Sequence, residues 1–282
     1  MMMGTLVERY RNAFVTGASA GLGRAFTEML LAEGVEVWGT ARAVERLQPL
    51  RIHPRFQAVA LELTDGATTG SAYATASRAA GGFDLVVNNA GYGIFAPFES
   101  ESFETWERQL QAMLVQPMRL AQLALAEFRS RDRGTLVNVS SLAVEFPLPY
   151  MSAYNVVKAG LSAFGESLLI ETAGTGVSVI DFRPGDYRTD FNRTMSPPSC
   201  HVPRAVADAP HLERIWKTLE ANLAAAPTAD RAARDLRRAL QRGERGTVRS
   251  GSFFQARFAP AAMACLPARL QRAMRWRYFN VR

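Results

Sequence analysis

Six short apolar runs recur along the first two-thirds of the chain, separated by stretches with helical spacing. This rhythm limits the fold more than any single residue does. Residues 13–16, 35–40, 56–63, 85–88, 135–139 and 177–182 are rich in Val, Leu and Phe and read as strands. Several are apolar on both faces, as parallel strands covered on both sides must be. Helical spacing falls between them at about 22–33, 68–80, 101–129 and 152–172. The alternation predicts an α/β fold, a single doubly wound parallel sheet of the Rossmann type with right-handed crossovers.

After Phe182 the rhythm breaks. Residues 192–210 are rich in Pro and polar side chains and lack any period, as functional loops often do. Residues 212–223 read as a helix; Thr228 is then expected to cap a helix over Ala229–Arg242, which Gly243 ends. The organisation expected is one domain over 1–282. In it, 10–191 binds the cofactor and carries catalysis, 192–226 forms a substrate lid, and 245–282 forms a basic, apolar C-terminal tail.

The first strand runs into Thr16-Gly17-Ala18-Ser19-Ala20-Gly21-Leu22-Gly23, where a helix begins. Gly17 permits the tight turn, Gly21 lets backbone approach a pyrophosphate, and Gly23 allows helix and strand to pack closely. The free N–H groups and positive dipole of the helix N-terminus then face the anion. The end of the second strand selects between dinucleotides, because a carboxylate there suits a ribose 2′-hydroxyl and an arginine suits a 2′-phosphate. It reads Gly39-Thr40-Ala41-Arg42, so the expected cofactor is NADP(H).

Tyr154 and Lys158 stand four residues apart on a predicted helix and therefore share a face. The chain has seven tyrosines, and Lys158 and Lys217 are its only lysines. A tyrosine with a lysine beside it suits hydride transfer to a carbonyl, since the oxygen that gains charge needs a proton. A phenol near pKa 10 gives one up at neutral pH more readily when an ammonium stabilises its phenolate. Ser141, just past the fifth strand, lies at the carboxyl edge of the sheet and is placed to polarise that carbonyl.

TGASAGLG at 16–23, NNAG at 88–91, NVSS at 138–141, Tyr154 and Lys158, and Pro184-Gly185 together resemble the short-chain dehydrogenase/reductase family over roughly residues 10–191. The resemblance implies Ser141, rather than Ser140, as the partner of Tyr154 and Lys158. It implies cofactor contacts from Gly17, Ser19, Gly21, Leu22, Gly23, Arg42, Tyr154 and Lys158. Asn89, Ala90 and Gly91 would line the adenosine ribose, with Asn88 more structural, while Pro184, Gly185 and Thr189 close over the nicotinamide and pyrophosphate. Glu62, followed by Leu63, stands where the family usually has an adenine-contacting Asp. One departure concerns the chemistry: Met113 occupies the place of an asparagine that extends a proton relay through water and the lysine. A thioether accepts only weakly and cannot donate. Backbone and water then complete the relay, or proton transfer is slower.

The implied activity is interconversion of a carbonyl and an alcohol, in a homodimer or homotetramer. A non-catalytic NADP(H)-binding sensor or scaffold is the alternative. The glycine spacing and the short C-terminal region argue against a nucleotide-sugar epimerase. Met, Pro, Trp and Phe in 192–226 and in the tail favour a small apolar substrate.

The net charge of +7 resides in the tail: no Asp or Glu follows Glu244, whereas eight arginines do. Without a recognition motif this does not point to nucleic acid. Interleaved with aromatics, the tail is expected to pack on its own core or on a second subunit, in preference to an anionic membrane surface. Cys200, Cys265 and the three histidines show no ligand spacing, so no metal is expected. No apolar run is long enough to span a bilayer and the first residues lack a signal-peptide pattern, which makes a cytoplasmic protein the expectation.

Overall fold

The computed structural model describes residues 5–189, 191, 195 and 210–279. Its centre is a seven-stranded sheet in the order β3-β2-β1-β4-β5-β6-β7, every neighbouring pair parallel. The strands are β1 (Asn12–Val15), β2 (Glu36–Ala41), β3 (Phe56–Ala60), β4 (Leu85–Asn88), β5 (Gly134–Val139), β6 (Val177–Pro184) and β7 (Gly246–Ser250). Strand order reverses between β1 and β4, and the carboxyl ends of strands at such a reversal open a crevice.

Period-two alternation sorts the strand side chains into two cores. Phe14, Val86, Leu136 and Val179 point to one face. Val15, Val87, Val137 and Phe182 point to the other. The first face is covered by α3 (Gly66–Ala80), α5 (Gln116–Ser130) and α6 (Ser152–Glu171), the second by α2 (Gly21–Ala32) and α8 (Ala229–Arg242). The short α1 (Leu6–Arg9) and α4 (Phe103–Leu110) complete the elements before α6. Beyond β6 come α7 (Pro210–Ala224), α9 (Ala259–Ala264) and α10 (Ala268–Tyr278). An exposed Lys217–Glu213 pair at 2.7 Å lies on α7.

Three expectations need correction. The third strand stops at Ala60 instead of 63, because β2 ends at Ala41, whose carbonyl takes a last bond from the Leu61 N–H. Glu62 and Leu63 therefore lie in a loop. The single helix expected at 101–129 is two helices, α4 and α5, joined by a π-turn at Gln111–Val115. Pro117 has no N–H for the carbonyl four residues back, so the ordinary ladder cannot run through this point. Thr228 has the extended backbone of an N-cap, but its hydroxyl turns to Asp230 at 3.1 Å and caps no backbone N–H. The seventh strand was not legible as one, because Gly-Thr-Val-Arg-Ser carries a single large apolar residue at a half-exposed edge.

Of the proposed lid, residues 192–194 and 196–209 lie outside the described residues. Tail residues 280–282 do as well. Among the described residues no helix is long and apolar enough to cross a membrane, and no cluster of possible metal ligands occurs.

The ring of Phe83 sits 5.3 Å from Phe14, 5.6 Å from Tyr73 and 6.2 Å from Trp38, joining α3 to the sheet. Phe83→Ala should lower the urea-unfolding free energy by about 3–5 kcal/mol, with an unchanged circular dichroism spectrum before the transition.

Candidate active site

The crevice at the β1–β4 reversal is built from two loops locked together by Thr16. Its hydroxyl accepts the N–H groups of Asn89 and Ala90 at 2.9 and 3.0 Å, and donates to the Val87 carbonyl at 3.3 Å. The Asn89 amide donates back to the Thr16 carbonyl at 2.9 Å. Asn89, expected against the ribose, thus also holds the glycine turn through its side chain. Asn88 is structural as expected, donating to the carbonyl of Pro117 and the side chain of Asn138, both at 3.0 Å.

Glycine is required here on steric grounds. Gly17 has φ +70°, and a Cβ there would lie 2.9 Å from the Ala90 Cα. A Cβ on Gly23 would come within 2.2 Å of the Gly17 carbonyl oxygen. No side chain caps the N-terminus of α2 and no acid lies in its first turn, so Gly21, Leu22 and Gly23 present backbone N–H groups at a positive dipole. Thr189 stands across from them, its Cβ 3.5 Å from where a Cβ on Gly21 would be. Ser19 is half-buried in the same loop. A dinucleotide pyrophosphate fits this cradle, which would hold no side chain in place of the glycines.

The outer end of the crevice gathers the residues expected near the adenosine. Arg42, at the end of β2, and Glu62, beyond β3, are both exposed. Burial raises the pKa of the Tyr92 phenol, with Arg108 and Arg42 opposing the rise and Glu62 adding to it, so these groups converge on the residue after Gly91. Leu63 is buried in the core beneath them.

Met113 sits in the π-turn, buried, with its Cε 3.0 Å from where a Cβ on Gly91 would be. Its sulfur accepts the Tyr92 N–H at 3.4 Å. Gln109 supports the same loop by donating to the Tyr92 carbonyl at 2.9 Å.

At the carboxyl end of β5 the structure brings Ser141, Tyr154 and Lys158 together, all buried. Ser141 opens a short 3-10 turn, accepts the Ala143 N–H at 3.0 Å, and hydrogen-bonds the Tyr154 phenol. The Lys158 ammonium lies 5.7 Å from the Tyr154 ring centroid and donates to the Val139 carbonyl at 2.7 Å. Burial pushes the Tyr154 phenol up to about 12, against the bond from Ser141, with Asp186 adding to the rise. Burial lowers Lys158 to about 8, opposed by Asp181. Desolvation of the phenol is the largest influence on Tyr154 in this geometry.

Ser140 donates to the Asp181 carboxylate, which leaves Ser141 to face the phenol. Asp181 is the residue that sequence reasoning missed. It is fully buried on β6 and also accepts from Ser162 and from Arg183 Nε, both at 2.7 Å. Arg183 reaches on to Glu145 at 2.7 Å, and Arg249 of β7 meets the same carboxylate at 2.8 Å. A lone acid inside the apolar run Val-Ile-Asp-Phe was the available signal, because a buried charge must be paired. Asp186 was missed too; its half-buried carboxylate accepts from Gln255 at 2.7 Å. Pro184 and Gly185 end β6 beside it, with the Gly185 N–H on the Ser250 carbonyl at 2.7 Å.

A glycine cradle at the sheet reversal, next to a buried Ser–Tyr–Lys group, defines a dinucleotide-binding α/β protein. The comparisons narrow this class. The short chain dehydrogenase family profile matches residues 11–199. An uncharacterized oxidoreductase from Myxococcus xanthus is 35% identical over 66% of this chain and 75% of its own length. A solved short-chain dehydrogenase from Streptomyces avermitilis superposes with a TM-score of 0.79 at 28% identity, covering 95% of this chain and 96% of that one. A metagenomic short-chain oxidoreductase solved with NADP is 30% identical, with a TM-score of 0.59 over 63% of this chain and 83% of its own. This chain belongs to the short chain dehydrogenase family and is an oxidoreductase of that family.

Gly23→Ala should displace the start of α2 from the Gly17 carbonyl and the Asn89 amide, at a cost of about 1–3 kcal/mol. Thermal unfolding should show the lower midpoint, and fluorescence titration with NADPH should show weaker binding than wild type.

Proposed function

We propose that this chain is an NADP(H)-dependent reductase of small apolar carbonyls, or in reverse a dehydrogenase of the corresponding alcohols. The observation that carries the reading is the buried Tyr154 phenol bonded to Ser141, with the Lys158 ammonium beside its ring. When bound, the nicotinamide cofactor supplies or accepts the hydride. Gly17, Ser19, Gly21, Leu22 and Gly23 cradle its pyrophosphate side, closed over by Pro184, Gly185 and Thr189. Arg42, Glu62, Leu63, Ala90 and Gly91, with the backbone of Asn89, hold the adenosine side.

Tyr154 gives its phenolic proton to the substrate oxygen as negative charge develops there, and Ser141 donates a hydrogen bond to the same oxygen. Lys158 has two N–H groups beyond the one directed at Val139, and its charge stabilises the phenolate that remains. Pro117 cannot donate to the Met113 carbonyl, which lacks its ordinary helical partner. That carbonyl, with water, serves the relay in place of an asparagine side chain.

Met151, Met195, Leu212, Ile215 and Phe279 share the apolar cluster that contains Tyr154, which supports an apolar substrate and a lid drawn from 192–226. Exposed Phe103, Val115 and Met118 on the α4–α5 side support a homodimer or homotetramer. The cytoplasm is the compartment that fits.

NADPH oxidation across a panel of apolar ketones and aldehydes should proceed with wild type, and Tyr154→Phe should lose about 10²–10⁴-fold in kcat with NADPH binding retained. Lys158 loses its proton as pH rises through about 8, while Tyr154 near 12 keeps its own. Reductive kcat/KM should accordingly fall above about pH 8. Full turnover by the Phe variant would remove Tyr154 from the role. NADPH binding without turnover on any substrate would favour the sensor or scaffold reading, for which Met113 is the structural argument.

Arg42→Asp should weaken NADPH by about 10–100-fold, as loss of a charge-assisted bond and gain of a like charge require. NADH binding, measured by the same titration, should strengthen or hold.

A further inference from the structure

We propose that the C-terminal face of this chain docks on an anionic phospholipid bilayer. Large apolar side chains are concentrated there in water: Phe253, Phe254, Phe258, Leu270 and Met274 are each 52–72% exposed. Phe254 and Phe258 lie together at 5.7 Å on one side of the π-turn Phe254–Phe258. On α10, Leu270 and Met274 are one turn apart and continue toward exposed Tyr278 as a stripe. Met263 and Phe279 of the same segment are buried, whereas these side chains are left in water.

The charge of the same segment selects the partner. Arg257, Arg269, Arg272 and Arg277 are exposed among these side chains, and no Asp or Glu follows Glu244. A second copy meeting this face through a two-fold axis would set arginine against arginine with no carboxylate in the segment to separate them. An anionic bilayer satisfies both features at once: rings and aliphatic chains enter the headgroup boundary, and guanidinium groups meet lipid phosphates. The segment is also held firmly enough to act as a platform. Gln255 bonds Asp186, Asn222 of α7 donates to the Tyr278 hydroxyl at 2.7 Å, and Phe279 is seated in the core cluster that contains Tyr154.

The test is flotation of the full chain with vesicles of phosphatidylcholine alone and of phosphatidylcholine mixed with phosphatidylglycerol. Wild type should float with the mixed vesicles, less with the neutral ones, and less again as salt rises. Arg269→Gln and Arg272→Gln should each lower the partition coefficient about fivefold, and Leu270→Ser with Met274→Ser should lower it as well. Thermal midpoints close to wild type would confirm that these variants fold, and Arg277→Gln serves as a further variant should one of them not. The proposal is overturned if wild type floats with neither vesicle, or if the arginine variants float as wild type does. It is equally overturned if velocity sedimentation shows that the substitutions dissociate a self-associated chain indifferent to lipid, since the face then joins two copies.

Discussion

The contact on which the rest of the molecule depends is the approach of two backbones at the sheet reversal. The turn after β1 and the turn after β4 lie so close that Gly17 has no room for a Cβ beside the Ala90 Cα. Thr16 and Asn89 stitch them with four short bonds. If that seam opened, α2 would leave the sheet, its N-terminal N–H groups would no longer face the crevice, and the π-turn that packs on Gly91 would lose its floor. Fold and site are thus fixed by one local exclusion of volume, a kind of constraint that tolerates almost no relaxation because both partners are main chain.

A second constraint is electrostatic and runs across the sheet. Asp181, Arg183, Glu145 and Arg249 alternate in sign from the centre of β6 to the edge of β7. Each charge answers the desolvation of the next, which is the condition under which a buried ion can persist. Lys158 stands at the inner end, where burial lowers its pKa and Asp181 restrains the fall. The state of the ammonium beside Tyr154 is therefore set partly by a strand and a side chain that belong to the last forty residues of the chain.

What could be read in the sequence follows from which signals are local. Strand positions came from apolar runs, and the glycine loop from the residues a turn, a close approach and a helix start each demand. Ser141, Tyr154 and Lys158 were legible because their spacing carries them to one strand end and one helix face. The π-turn was not, since its cause is a missing N–H at Pro117 acting within a sequence whose apolar period hardly changes. β7 was not, since an edge strand needs little hydrophobicity when its neighbour supplies the pairing. The brace that Asn89 supplies was not legible either, because an amide can line a ligand or hold a turn, and the bond to Thr16 shows only in the structure. The pKa balance at Tyr154 depends on depth of burial, which no residue type announces.

Burial of Lys158 beneath the crevice has an unrelated chemical consequence. Lys217 is the other lysine of the chain, on α7, with most of its side chain in water and paired with Glu213. Apart from the α-amino group, an amine-directed reagent therefore meets a single reactive nitrogen on the folded surface. A fluorophore attached there would sit on the helix that follows residues 192–209. The arginine-for-lysine bias of this chain gives it, without engineering, a single attachment point on α7.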